Sequence, residues 1–350
     1  MQTNKRGLIF NVGPLNNIYS GPHTYADVLF PFINELSARG AELTWGGITV
    51  DNKVQNEELE KMGIVFRTKY YLGSHSALKN MKTSWDFVKA EDFDFFLCQP
   101  RPLDNVLENQ ILFSLINKFL DAGKTVFVWE QDMFTDSFTQ RMRDEVIFLH
   151  PAEVPTGKFK NEIHFPFFTY TRHDKDEAER ELDFVFLGNI YGRQPQALKF
   201  FGELNDSKID KLVFGSWIAD EVRREFSSQF DKFRFAGSTE HWASIPVMRR
   251  AKATLHIVPD FAKVRGLMTA RVFTSQMARC ICFCDADIVG AEKYFPAELI
   301  VTSGSDILSK WEYAMNHREE LLAKRDELMK EHTVEKRVDQ FIELLNKYTN

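Results

Sequence analysis

Three groups of residues in this 350-residue chain have types and spacings suited to chemistry on an anion and a hydroxyl group. The first is cationic. Lys263 and Arg265 lie in a loop, Val258–Met268 (VPDFAKVRGLM), and Arg271 stands near the front of the helical pattern that follows. A cationic loop entering a helix N-terminus suits an anion, because free backbone N–H groups and the helix dipole point at it. The same dipole disfavours an arginine in the first turn unless an anion compensates, which singles out Arg271. Arg265 and Arg271 together would stabilise a departing phosphate or diphosphate. The second group is Gly188–Arg193 (GNIYGR), a turn between a strand and a helix. Its glycines would let the backbone approach a phosphate and Arg193 would add charge, but the same residues also suit an ordinary turn with a surface arginine. The third is Glu130-Gln131-Asp132, at the end of the apolar run Thr125–Trp129 (TVFVW). A carboxylate there would take a proton from an acceptor hydroxyl. Asp132 is the first candidate and Glu130 its neighbour; Asp132 would equally serve as a helix cap.

Two further sets carry weaker signals. Gly21-Pro22-His23-Thr24 forms a glycine-containing loop in which His23 would orient a substrate, act as a base, or stand solvated. Cys280, Cys282 and Cys284 alternate with Ile281 and Phe283, which puts three thiols on one face of one strand. Metal sites draw their ligands from turns with Cys-x-x-Cys spacing, so these cysteines read as core packing.

The elements that must hold these groups alternate strand and helix. Gly7–Val12 reads as a buried strand running into a loop; a helical pattern then starts at Thr24 (Tyr25, Val28, Leu29, Phe32, Ile33, Leu36) and stops at Gly40. Ala41–Thr49 and Val65–Tyr71 read as strands, with a short helix over Glu57–Met62 between them. Asp94–Cys98 (DFFLC) is a strand, Gln99–Pro102 a loop, Ile111–Leu120 a helix and Thr125–Trp129 a strand. The polar stretch Pro166–Leu182 reads as a linker. A second series follows: strands at Asp183–Leu187, Leu212–Phe214, Phe233–Ala236 and Ala253–Val258, with helices from Gln194 and over Ile245–Ala251. The helix-then-strand stretch Thr269–Asp287 and a short strand at Leu299–Val301 complete it, and the rest is helical. Such alternation specifies α/β architecture with parallel sheets and right-handed crossovers. Two Rossmann-like domains facing a central cleft are expected: 1–167, a linker at 168–182, 183–333, and a terminal helix over 334–350 packing back on the first domain. Ligands of such sheets collect beyond the carboxyl ends of the strands, where all three groups fall.

Composition sets limits. The net charge of −6 and pI of about 5.9 argue against holding nucleic acid by bulk charge, and neither half of the chain is basic. The start, Met1–Arg6, is polar, and no apolar run approaches the roughly 20 residues of a bilayer span. A cytoplasmic protein with reduced thiols and no membrane partner is expected.

These landmarks resemble the GT-B glycosyltransferases, and among them the T-even-phage glucosyltransferases that modify 5-hydroxymethylcytosine in DNA. The resemblance covers most of residues 183–350: DFVFLGNIYGRQPQALKFF looks like the family's strand, phosphate loop and helix, LVFGS and FRFAGS like its next strand–loop units, and TARVFTSQMARCICFCD like its Thr-x-Arg-Val helix and following strand. It is thinner in the first half, where VFVWEQD looks like the strand ending in the catalytic aspartate. The resemblance implies a UDP-sugar donor, with Mg or Mn accompanying the UDP product. It implies a diphosphate held by Arg271, with Arg193 and Arg265, along the loop Gly188, Asn189 and Tyr191. Gly237, Ser238 and Thr239 would meet the base, and Asp260 matches an acidic residue before the basic loop. On the acceptor side it implies Asp132 as base, with Gly21, His23, Thr24 and Glu130 around it.

The sequence departs from the family at several of these positions. Tyr191 and Pro195 replace a pair of loop arginines, Thr274 replaces a ribose-binding glutamate, and His23 lies near a position that is acidic in the family. The function implied is transfer of a sugar, glucose or a pentose such as arabinose, to the hydroxymethyl group of 5-hydroxymethylcytosine in double-stranded phage DNA. A monomer in the infected host cytoplasm is implied, and base flipping would be needed. A GT-B enzyme acting on a saccharide or small molecule, a non-catalytic nucleotide-binding module and a sugar-nucleotide epimerase-like enzyme remain open.

Overall fold

The computed structural model describes residues 1–14, 28–49, 69–74, 88–100, 107–130, 141–171, 179–189, 192–215, 229–237 and 244–349. The chain divides into two compact units. The first comprises residues 1–151, 155–168 and 334–350; the second comprises 152–154 and 169–333. Loop residues Gly21, His23, Thr24, Asp132, Tyr191, Ser238 and Thr239 lie outside the described residues, as does the short helix expected over Glu57–Met62.

Unit 1 is built on a parallel sheet. Its strands are β1 (Arg6–Pro14), β2 (Glu42–Thr49), β3 (Lys69–Ser74), β4 (Phe95–Gln99), β5 (Thr125–Trp129), β6 (Ile147–His150) and β7 (Asn161–His164), in spatial order β3-β2-β1-β4-β5-β6-β7. The central strands are apolar on both faces because both faces are covered. Leu8, Phe10, Phe96, Cys98, Val126 and Val128 share one core with Leu112, Leu115, Ile116 and Phe119 of helix α2 (Leu107–Asp121). The intervening Phe95 and Phe127 meet Phe341 of the terminal helix, whose ring also lies 5.4 Å from Phe32 of α1 (Phe30–Ala38). Strands β6 and β7 were not anticipated. Four apolar residues after a long polar stretch, and then the mixed sequence NEIH, carry no clear period; pairing alone makes them strands.

Unit 2 repeats the design. Strands β8 (Leu182–Leu187), β9 (Lys211–Phe214), β10 (Phe233–Phe235), β11 (Ala251–His256), β12 (Ile281–Asp285) and β13 (Ile300–Val301) form a parallel sheet ordered β10-β9-β8-β11-β12-β13. Helix α3 (Gln194–Asn205) follows β8, α4 (Ser244–Arg249) precedes β11, and the four-residue α5 (Asp260–Lys263) follows it. Next come α6 (Ala270–Met277), α7 (Gly304–Asn316) and α8 (Arg318–Met329); α9 (Val334–Tyr348) belongs to unit 1. The loop expected at Val258–Met268 therefore contains a helical turn, α5.

In each unit the chain enters at a central strand, runs outward to one edge, then returns to run to the other. Strand order reverses between β1 and β4 in unit 1 and between β8 and β11 in unit 2. In open α/β sheets such reversals, beyond the carboxyl ends of the strands, are where a ligand crevice forms.

Candidate active site

At the reversal in unit 2, the two loops concerned are those after β8 and after β11. Gly188 continues β8, and its N–H donates to Phe214 O at 2.9 Å. Its φ of +156° and its contacts both call for glycine, because a Cβ would run into the Arg271 guanidinium. Gly192 sits at φ +67°, and a Cβ there would lie 3.4 Å from Cγ of Pro259, so the two loops are close neighbours. Between the glycines Asn189 turns its carbonyl back to accept from Arg193 Nη1 at 2.7 Å. Arg193 is the cap residue of α3, and Pro195 stands at the start of that helix, where a missing N–H costs nothing.

Arg271 is the second residue of α6. Thr269 at the N-cap makes no side-chain cap bond and the first turn holds no acid, so the free N–H groups of α6 keep their partial positive charge. The Arg271 side chain crosses the end of β8. Its Nε donates to Leu187 O at 3.0 Å, Nη2 donates to the same carbonyl, and the guanidinium carbon lies 4.5 Å over the Phe186 ring. Nη1 is buried with no hydrogen-bond partner. Burial, and then the nearby Arg193, push the Arg271 guanidinium down to about 9. It stays protonated at neutral pH and stands as a second cation beside Arg193.

A residue unremarked in the sequence completes this corner. His256 ends β11, is fully buried, and lies with Nε2 3.2 Å from Leu267 O, a bond in which Nε2 must donate. Its Nδ1 is then a bare acceptor, buried without a partner. Burial, with Arg271 as the next cause, pushes the imidazole down to about 3. A histidine closing an apolar run at the strand end on the reversal could have been picked out by position alone.

The other candidates are placed as follows. Asp260 opens α5, accepts from Gln196 Nε2 at 2.5 Å and lies 3.4 Å from Lys263 Nζ. Lys263, one of the loop's three cations, is turned inward onto the buried carboxylate of Asp285 at 2.9 Å, so it adds no free charge to the crevice. Burial alone would lower its pKa, but Asp285, with Asp260 and Asp287, outweighs this and holds the ammonium above its ordinary value. Arg265 donates from Nε to Val154 O at 3.2 Å, within a strip where Ala152 pairs antiparallel with Leu267. Thr274 is buried, and its hydroxyl donates to Arg271 O at 3.3 Å, back onto its own helix. Gly237 follows β10, and its carbonyl accepts from Gly215 N–H at 2.8 Å.

In unit 1, Glu130 follows β5, buried and with its N–H donating to Leu149 O at 2.8 Å. Cys280, Cys282 and Cys284 are free and fully buried, and burial pushes the Cys280 thiol up to about 12. Among the described residues no three His, Cys, Asp or Glu side chains could hold a metal ion, and the acids nearest the crevice are engaged with Lys199 and Lys263. The described residues therefore do not form a protein-held metal site.

The fold is the GT-B type, two parallel α/β units in one chain. Among solved structures, the chain is similar to T4 phage BGT in complex with UDP and Mn2+, with a TM-score of 0.65 and 13% identity over 97% of this chain and 99% of that one. It is similar to a glycosyltransferase from Rickettsia africae, at TM-score 0.61 and 10% identity over 99% of each chain. A structure described as trehalose-6-phosphate from E. coli bound with UDP-2-fluoro glucose matches at TM-score 0.61 and 10% identity, over 98% of this chain and 99% of that one. No protein-family model matches the sequence, and no curated protein matches it.

Proposed function

We propose that the protein is a nucleotide-sugar glycosyltransferase whose donor diphosphate lies at the β8–β11 reversal in unit 2. The observation that carries this reading is the arrangement at this reversal: Arg271, with Nη1 buried and unpartnered, beside Arg193 at a helix N-terminus with no side-chain cap, in a GT-B fold. Two cations kept together at a cost in burial suit a group that brings about two negative charges with it. Glycosyl transfer generates such a group as its leaving group, and cations already in place stabilise it as charge develops.

Direct displacement is the simplest step. The acceptor oxygen bonds to the anomeric carbon, the bond from that carbon to the diphosphate oxygen breaks, and UDP leaves with the electron pair. The acceptor proton passes to Asp132. The anomeric configuration inverts. Arg271 and Arg193 hold the β-phosphate, Gly237–Thr239 the base, and Gly21, His23, Thr24 and Glu130 surround the acceptor. Thr274, with its hydroxyl turned to Arg271 O, gives the ribose no carboxylate to bind, so base and diphosphate carry the donor's affinity.

For the acceptor we favour 5-hydroxymethylcytosine in duplex DNA, on the likeness to T4 phage BGT over nearly the whole chain and on the motif resemblance. The net charge of −6 supports a second reading, a saccharide or small-molecule acceptor, since a duplex binder gains from a basic surface. The test incubates the protein with UDP-glucose, UDP-arabinose and related donors, and with hydroxymethylated DNA, unmodified DNA or a panel of saccharides, and measures UDP release and mass gain. UDP release that needs hydroxymethylated DNA supports the first reading, and release that needs a saccharide supports the second. No UDP release with any combination contradicts the glycosyltransferase reading.

A further inference from the structure

The charges behind the crevice form a connected set. Asp285, fully buried at the end of β12, lies 2.9 Å from Lys263 Nζ through Oδ2 and 3.3 Å from Lys199 Nζ through Oδ1. Lys199 belongs to α3 and Lys263 closes α5; both also reach Asp287, at 2.8 and 3.5 Å. Asp260, at the other end of α5, is held by Lys263 and by Gln196 of α3. The strand end of β12 thus ties together the two short segments whose loops wall the crevice.

Stability alone does not account for this arrangement. A buried ion pair roughly breaks even against an apolar pair of the same volume, because the charges lose their hydration. An apolar pair, however, has no preferred height. Helix α5 has four residues and no side-chain cap bond, and outside its own turn Val289 N–H donates to Lys263 O at 3.1 Å, a backbone contact that leaves its side chains to set the height. The ammonium of Lys263 on the Asp285 carboxylate gives it one.

We propose that Asp285 and Lys263 are positioning residues for the nucleoside diphosphate: the pair fixes α5 against the start of α3 and so sets the width of the crevice in which Arg193 and Arg271 meet the ligand. This rests on the diphosphate reading of that crevice. The pair itself does not touch the ligand. It acts by holding the 257–260 wall, so its loss weakens binding while leaving the arginines intact.

The experiment measures UDP affinity by calorimetry, alongside thermal stability, for the wild-type protein, Asp285→Asn and the double variant Lys263→Met/Asp285→Leu. Asp285→Asn takes from Lys263 its nearest carboxylate and leaves it Asp260 at 3.4 Å and Asp287 at 3.5 Å, so both stability and affinity fall. The double variant removes both charges and recovers wild-type stability, yet binds UDP roughly ten- to a hundredfold more weakly, the cost of misplacing groups by about an ångström. A double variant with wild-type stability and wild-type affinity would overturn the proposal and leave the diphosphate reading standing. Wild-type protein that binds no UDP would overturn both. Should the double variant not fold, Lys263→Arg, which keeps the charge and changes the reach, decides the matter: folded protein with weakened UDP binding supports positioning, and undiminished binding refutes it.

Discussion

His256 makes the protein sensitive to mild acid in a way that can be worked out from its surroundings. The imidazole is fully buried and its Nε2 donates to Leu267 O, while three cations, Arg271, Arg193 and Arg325, oppose a further charge. Its pKa falls to about 3 in the fold, against 6.5 unfolded. Between those values the unfolded chain binds a proton that the folded chain does not. The neutral histidine's contribution is therefore complete above about pH 6.5 and is lost progressively as pH falls towards 3. Between pH 7 and pH 5 the loss amounts to about 2 kcal/mol from this one group, a large share of an ordinary domain's stability. His256→Gln keeps an N–H for Leu267 O and cannot titrate. Urea unfolding at the two pH values should show the wild type losing about 2 kcal/mol more than the variant on going from 7 to 5. An NMR titration should find the folded His256 ring neutral at pH 5. Equal pH dependence in the two proteins, or a folded ring that titrates near 6.5, would refute the account of this corner.

Two further outcomes bear on the site. Gly188→Ala places a methyl group where the Arg271 guanidinium lies, so UDP affinity should fall about tenfold while the spectrum of the folded protein is unchanged; calorimetry and circular dichroism check this. Asp132→Asn should lower kcat by roughly 10²- to 10⁴-fold with little change in UDP affinity, as expected for a lost base; a variant retaining the wild-type rate would remove Asp132 from the mechanism.

Much of the scaffold was legible because the strands that carry it are short apolar runs with clear stops. DFFLC, TVFVW and DFVFL are buried on both faces, and that burial leaves a compositional mark. The place of Arg271 in the first turn of α6 was legible, and it is unusual on electrostatic grounds, since a helix dipole disfavours a cation there. Strands β6 and β7 were not, since NEIH has neither the run nor the alternation of a strand and is defined by its neighbour. Lys263 looked like a partner of Arg265 and Arg271 because sequence shows charge but not direction; Asp285, 22 residues further on, turns it away from the crevice. Gly188 was read as room for a phosphate, and the space it leaves is taken by Arg271. The position of His256 at a strand end on the reversal is legible, but its bare Nδ1 becomes visible only once Leu267 O is seen to hold the other nitrogen.

The central claim is that the arginine pair at the β8–β11 reversal holds a nucleoside diphosphate. Calorimetric titration of UDP into the wild-type protein and into Arg271→Met tests it most directly. The variant loses a charge-assisted contact worth about 2–3 kcal/mol, so its affinity should fall roughly 30- to 150-fold, with less dependence on salt. UDP bound equally well by both proteins, with the same salt dependence, would contradict it.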